Sequence, residues 1–190
     1  VEFLNIVGAA DRVIEIAETY VGVKETGSNR GDKIDEIEKM FGLLGQPYCA
    51  MFVLYCIAKA YPRADIIKTA SSQTLYAWAD KKKFTYSDPK LLSPGDIVIW
   101  RKFKLWQGHV GLVTSALKTV NLSVSGQVEV VSPQFTTIEG NTANSDFGNQ
   151  REGDGIYKRI RYAKKLDFAV DNFYLRGFIS LTSLLQNKPA

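Results

Sequence analysis

From Tyr48 to Tyr61 nearly every position is apolar, with Ala50, Met51, Phe52, Val53, Leu54, Tyr55, Cys56, Ile57 and Ala58 in unbroken succession. A helix that is hydrophobic all round has no face to offer water, so it must be covered on every side. Pro62 stops the run, and Pro47 fits the first helical position, where a missing N–H costs nothing. Whatever fold this chain adopts has to wrap its other elements around this one helix.

The flanking sequence supplies the covers. Between Ala10 and Val21, the residues Val13, Ile14, Ile16, Ala17, Tyr20 and Val21 recur at helical spacing, with Glu15 and Glu18 outside. Asp32 opens a second helix with Ile34, Ile37 and Phe41 on one stripe and Gly42 at its end. Another helix is expected from about Ser71 to Lys82, carrying Leu75, Tyr76, Trp78 and Ala79. Beyond residue 90 the period changes. The turn Ser93-Pro94-Gly95-Asp96 launches Ile97 to Trp100, and strands are expected at His109–Thr114, Val124–Val131, Phe135–Glu139, Ile156–Arg161 and Phe173–Ser180. Helices first and strands afterwards, without βαβ alternation, predict an α+β fold whose central helix packs across an antiparallel sheet. No repeat or linker divides the chain. It reads as one domain over 1–190, helical to about residue 90 and sheet from about 91 to 182.

Composition narrows the function classes. A hydrophobic content of 45% and a charged content of 23% are ordinary for a globular domain. The excess of 24 Lys and Arg over 20 Asp and Glu is mild and forms no basic stripe, so no nucleic-acid partner is expected. Lys81-Lys82-Lys83 reads as a solvated helix end. No apolar run reaches about 18 residues, so membrane insertion is not expected. Val1 and its neighbours show no basic-then-apolar export pattern.

Cys49 and Cys56 are seven residues apart, and on one helix their Cα atoms would lie about 10 Å apart, beyond disulfide reach. Two cysteines and one histidine do not make metal-ligand spacing. No cofactor is therefore expected, while the scattered Asp residues leave a calcium site open.

Any imidazole chemistry here has one owner, because His109 is the only histidine. It lies between Gly108 and Val110-Gly111 at the entry to a strand, where a hydrogen-bonded structural histidine is the plain alternative. Cys49 falls in the first turn of the central helix, where unpaired N–H groups favour a thiolate and could donate to an oxyanion. Its plain alternative is a small buried hydrophobe, the reading that also suits Cys56. Glu139 and Asn141, with Gly140 between them, could accept from one imidazole nitrogen and so turn the other toward the thiol. On an extended segment the two would share a face. Turn chemistry at a strand end is the alternative. Ser71-Ser72 and Thr136-Thr137 have no second histidine to serve them, and the serines read as cap material. Lys24 to Asn29 lacks the spacing of a phosphate loop.

Taken in order, these pieces resemble the cysteine, histidine-dependent amidohydrolases/peptidases, or CHAP domains, a papain-like group of phage lysins and bacterial cell-wall hydrolases. The resemblance spans roughly residues 10 to 180. It rests on Ala17–Lys24 with Glu25-Thr26-Gly27, on Pro47-Tyr48-Cys49-Ala50-Met51-Phe52-Val53 and on Pro94-Gly95-Asp96-Ile97-Val98. Gly108-His109-Val110-Gly111 and Glu139-Gly140-Asn141 complete it.

The resemblance implies Cys49 as nucleophile, His109 as base and then acid, Glu139 as orienting group and Asn141 as a fourth polar member. It implies amide hydrolysis in peptidoglycan through a thioester, by an amidase or a crosslink endopeptidase. Tyr48, Gln46 and Trp106 are the substrate-binding candidates, and Trp100 reads as cleft wall or core. Tyr48 stands where the family often has tryptophan. Related NlpC-type peptidases commonly orient with a second histidine, which this chain lacks. The long charged tail after Asn141 reads as a substrate or partner surface. Action at the bacterial cell wall, in periplasm or outside the cell, is expected, with peptidoglycan as partner and an inhibitor or immunity protein as a further candidate. A cysteine peptidase or transferase on a non-wall amide, and a wall-binding module without turnover, stand as competing readings.

Overall fold

The computed structural model describes residues 8–102, 105–119, 121–124, 127–130, 133–144, 153–163 and 173–186. The apolar run becomes α3 (Cys49–Ala60), and ten of its twelve residues are buried. Around it lie α1 (Ala9–Glu18), α2 (Asp32–Lys39) and α4 (Ser72–Lys81), while its remaining flank rests on the sheet strands β3 (Gly108–Val113) and β6 (Gln134–Thr142). Each fully covered Leu, Val, Phe or Met side chain contributes roughly 1.5–3 kcal/mol, so this helix anchors the core. The expected start is corrected by two residues. Tyr48 is the N-cap, so Pro47 precedes the helix and Cys49 is its first residue.

The main sheet, among the described residues, has six antiparallel strands. Their order is β1 (Thr85–Tyr86), β8 (Phe173–Ile179), β2 (Ile97–Lys102), β3, β6 and β7 (Gly155–Tyr162). Strand alternation splits its side chains between two cores. Ile97, Ile99, Val110, Leu112 and Ile138 join α3. On the other face Val98, Trp100, Val113, Phe135, Phe173 and Phe178 form a second cluster. The α+β expectation holds, with the helix laid across the sheet.

Three local expectations change. The single strand expected over 124–131 is a hairpin of β4 (Asn121–Val124) and β5 (Gln127–Val130); positions 125, 126 and 131 lie outside the described residues. Strand β1, only two residues long, and helix α5 (Leu181–Gln186) are additions too short to show a period. Within the charged tail, 145–152 and 164–172 likewise lie outside the described residues. Both cysteines are free, as the spacing argument required. No helix among the described residues is long and apolar enough to cross a membrane.

Candidate active site

The approach to Cys49 is fixed from below. Glu38 on α2, fully buried, accepts the backbone N–H of Gly45 at 2.7 Å and of Gln46 at 3.0 Å. That clamp holds the turn that feeds Pro47 and Tyr48 into α3. The first backbone bond of the helix is Phe52 N–H to Tyr48 O, at 2.8 Å, so the amides of Cys49, Ala50 and Met51 carry the unpaired end of the helix. Tyr48 makes no side-chain cap.

Close approach of α3 to β6 depends on Gly140. A Cβ at that position would meet Phe52 Cβ at 2.9 Å and Tyr48 Cδ2 at 3.2 Å. Gly111 does the same for the carboxylate, since a Cβ there would come within 2.9 Å of Glu139 Cγ.

His109 enters from β3, directly opposite Trp100 of β2, and the two rings stack at 6.0 Å with 27° between their planes. Its Nε2 lies 2.9 Å from Glu139 Oε2. With that nitrogen taken, Nδ1 is the one left for the thiol, and it is buried with no other partner among the described residues. Burial alone would lower the imidazole pKa, but hydrogen bonding to Cys49 and to Glu139, with their negative charges, outweighs it and raises the value to about 9.

Glu139 has no exposure and is fully engaged. Arg161 of β7 donates from Nε to Oε1 at 2.7 Å and from Nη2 to Oε2 at 2.5 Å, a two-pronged pair. Thr137 donates to Oε1 at 2.5 Å. Burial would raise the Glu139 pKa, yet the Arg161 charge and hydrogen bonds, aided by His109, hold it far below the usual carboxylate range. Arg161 also sits 5.6 Å from the centre of the Trp100 ring, whose neighbour is His109.

Cys49, 4% exposed, opens onto a cleft of about 190 Å3 that Pro47, Ser71, Ser72, Trp106 and Gly108 help to line. Ser71 caps α4 by accepting from Thr74 N–H at 3.2 Å, as its sequence position suggested. Gln73, in the first turn of α4, ties that helix to the sheet by donating to Trp100 O at 2.8 Å.

The expected residues divide into those brought together and those not. Cys49, His109 and Glu139 form one constellation. Trp106, 64% exposed, does line the cleft. Tyr48 is corrected. It is fully buried, so its ring supports the site from inside. Burial first, and then the neighbouring Glu25, push its hydroxyl pKa far up. Gln46 is exposed but outside the cleft lining, because Glu38 binds its backbone on the α2 side. Asn141 is buried at an irregularity in the β6–β7 pairing, and its left-handed φ of 53° breaks the alternation that would have put it on one face with Glu139. Trp100 is core. Arg161 and Thr137 were missed. Among the described residues no group of three or more His, Cys, Asp or Glu is arranged to hold a metal.

A helix-borne cysteine set against a strand-borne histidine, on an antiparallel sheet, is a papain-like arrangement. The family model for the CHAP domain matches residues 42–141, just over half of the chain, and the chain belongs to that family. The matched segment runs from the turn before Cys49 to Asn141. Membership points to a hydrolase of the amidase or peptidase type that acts on the cell wall. No curated protein and no solved structure shows significant similarity to the chain.

Proposed function

We propose that this protein hydrolyses an amide bond of peptidoglycan, with Cys49 as nucleophile, His109 as general base and then acid, and Glu139 as the group that orients His109. The observation that carries the reading is the placement of His109 between the Glu139 carboxylate and the Cys49 thiol, beside an open cleft. The Glu139 carboxylate favours a proton on the imidazole, whose pKa is raised. Cys49 Sγ then attacks the amide carbonyl, and the negative oxygen that forms meets N–H groups at the start of α3. As the tetrahedral species collapses, the C–N bond breaks and His109 gives its proton to the departing amine. A thioester on Cys49 remains. Water, deprotonated by His109, attacks that thioester, releases the carboxylate product and restores the thiol.

The cleft fits this use. Trp106 offers an exposed aromatic face on which a sugar or peptide can stack, and Ser71 and Ser72 line the same cleft as Cys49.

Purified sacculi incubated with wild-type protein, C49A and H109A test the proposal, with mass analysis of what is released. Wild type should free soluble muropeptides carrying one new amine and one new carboxyl end, and both variants should free none. The position of the new ends distinguishes muramoyl–alanine cleavage from crosslink cleavage. Sacculi that stay intact while another peptide amide is cut assign the site to a non-wall cysteine peptidase or transferase. Sacculi that bind the protein without any release make it a wall-binding module.

A further inference from the structure

We infer that Arg161 is a positioning residue of this site: its guanidinium holds Glu139 as an anion in the one orientation that keeps the second imidazole nitrogen of His109 on Cys49. The inference rests on the reading of Cys49 and His109 as the working pair.

The pattern of β7 turns Arg161 toward the interior. In Lys158-Arg159-Ile160-Arg161-Tyr162 the apolar Ile160 is 54% exposed, while Arg159 and Arg161 are 6% and 5% exposed. A solvated face would show the reverse, with arginines outward and isoleucine inward. The strand thus turns both arginines to the interior and leaves Lys158 outside. Arg161 ends on both oxygens of Glu139, and its plane fixes the plane of the carboxylate.

The chemical consequence follows from proton sharing. Among the described residues, the side chains hydrogen-bonded to Glu139 are His109 from β3, Arg161 from β7, and Thr137 and Thr142 from its own strand. Arg159 is the other buried cation of β7, and Cys49 of α3 lies beyond the imidazole. Without Arg161, a buried acid would sit against a buried base with one proton between them. In a dry site the neutral pair is favoured over the charged pair, so the proton would pass from His109 to Glu139. A neutral imidazole no longer holds charge on the thiol. With Arg161 present that transfer would neutralise the carboxylate that the guanidinium holds at both oxygens, which costs more. The arginine therefore keeps the proton on His109 through Glu139, from outside the cleft lining.

The sole histidine makes a direct test available, because one imidazole Cε1–H resonance reports the whole titration. Wild type, R161M and R161K are compared by that resonance across pH and by the rate of Cys49 alkylation at neutral pH. R161M should titrate at least about one pH unit lower, a tenfold loss of proton affinity. Its alkylation at pH 7 should fall at least about tenfold. R161K keeps a charge but not the fork, and should recover only part of both. A folded R161M with the wild-type midpoint and rate overturns the inference. If R161M does not fold, R161K decides: wild-type midpoint and rate in that variant also overturn it. Neither readout needs peptidoglycan, so a wild-type protein that leaves sacculi intact would fail the proposed function without bearing on Arg161.

Discussion

His109 Nε2 lies 2.9 Å from Glu139 Oε2, and this contact decides which ring nitrogen remains for Cys49. Both side chains are at most 1% exposed, so neither can trade its partner for water. The imidazole is then a proton store whose occupancy depends on its two neighbours, and its titration becomes a property of the whole site.

That titration should be visible in stability. His109 has a folded pKa of about 9, above its ordinary value of 6.5. Its contribution is fully present below about pH 6.5 and is lost as pH rises through 9. Urea unfolding across pH 6 to 10 should therefore show wild type losing stability over that window, while H109A stays flatter. Parallel curves for the two proteins would contradict the raised value.

Glu139→Gln keeps the shape of the side chain and removes the anion. The imidazolium loses its partner, and Arg161 loses the carboxylate that it holds at both oxygens. Amide hydrolysis should drop by about 10²–10⁴-fold, the range general acid–base catalysis supplies. The His109 resonance should titrate at lower pH in the same sample. Full activity in E139Q would remove Glu139 from the site.

The two cysteines should separate cleanly under alkylation. Cys49 opens on the cleft, whereas Cys56 has no exposure and burial pushes its thiol pKa far up. Iodoacetamide on folded protein should modify Cys49 alone, as read by peptide mass, and Cys56 only after denaturation. Equal labelling of both would mean that the first turn of α3 is not specially placed.

Gly140→Ala tests how closely α3 must approach β6. The added methyl meets Phe52 and Tyr48 backed by packed core, so the helix end has to shift. Stability should fall by about 1–3 kcal/mol in chemical denaturation, as for other overpacked sites. Hydrolysis should fall further than stability alone explains, since Cys49 rides on that helix end.

Trp106→Ala addresses the cleft without disturbing the core. The side chain is 64% exposed, so stability should stay within about 0.5 kcal/mol of wild type. KM for muropeptide substrates should rise with kcat largely kept. A loss confined to kcat would argue against a stacking wall.

Much of this architecture was legible because the signals were local. The all-apolar run had to be a covered helix, and the turn at Pro94-Gly95 with the alternating runs after it had to be sheet. Cys49, His109, Glu139 and Asn141 could be singled out as candidates by residue type and position, and their roles came from the family resemblance. What stayed hidden depends on contacts distant in sequence. Arg161 sits in a run whose plain reading is a solvated strand face, and only the pairing of β6 with β7 reveals which side it faces. Asn141 takes a left-handed backbone that its sequence permits but does not announce. Tyr48 looked like a cleft wall because it precedes the cysteine, yet the helix start turns it inward. Strand β1 is too short for any period to show.

The pairing of sulfur and imidazole is tested most directly by the rate at which Cys49 is carboxymethylated at pH 6.5 in wild type and in H109A. If the proton of the pair rests on His109, wild type should react at least about tenfold faster than H109A. Equal rates in two folded proteins would mean that the imidazole does not act on the thiol, and the proposed hydrolytic mechanism would fall with it.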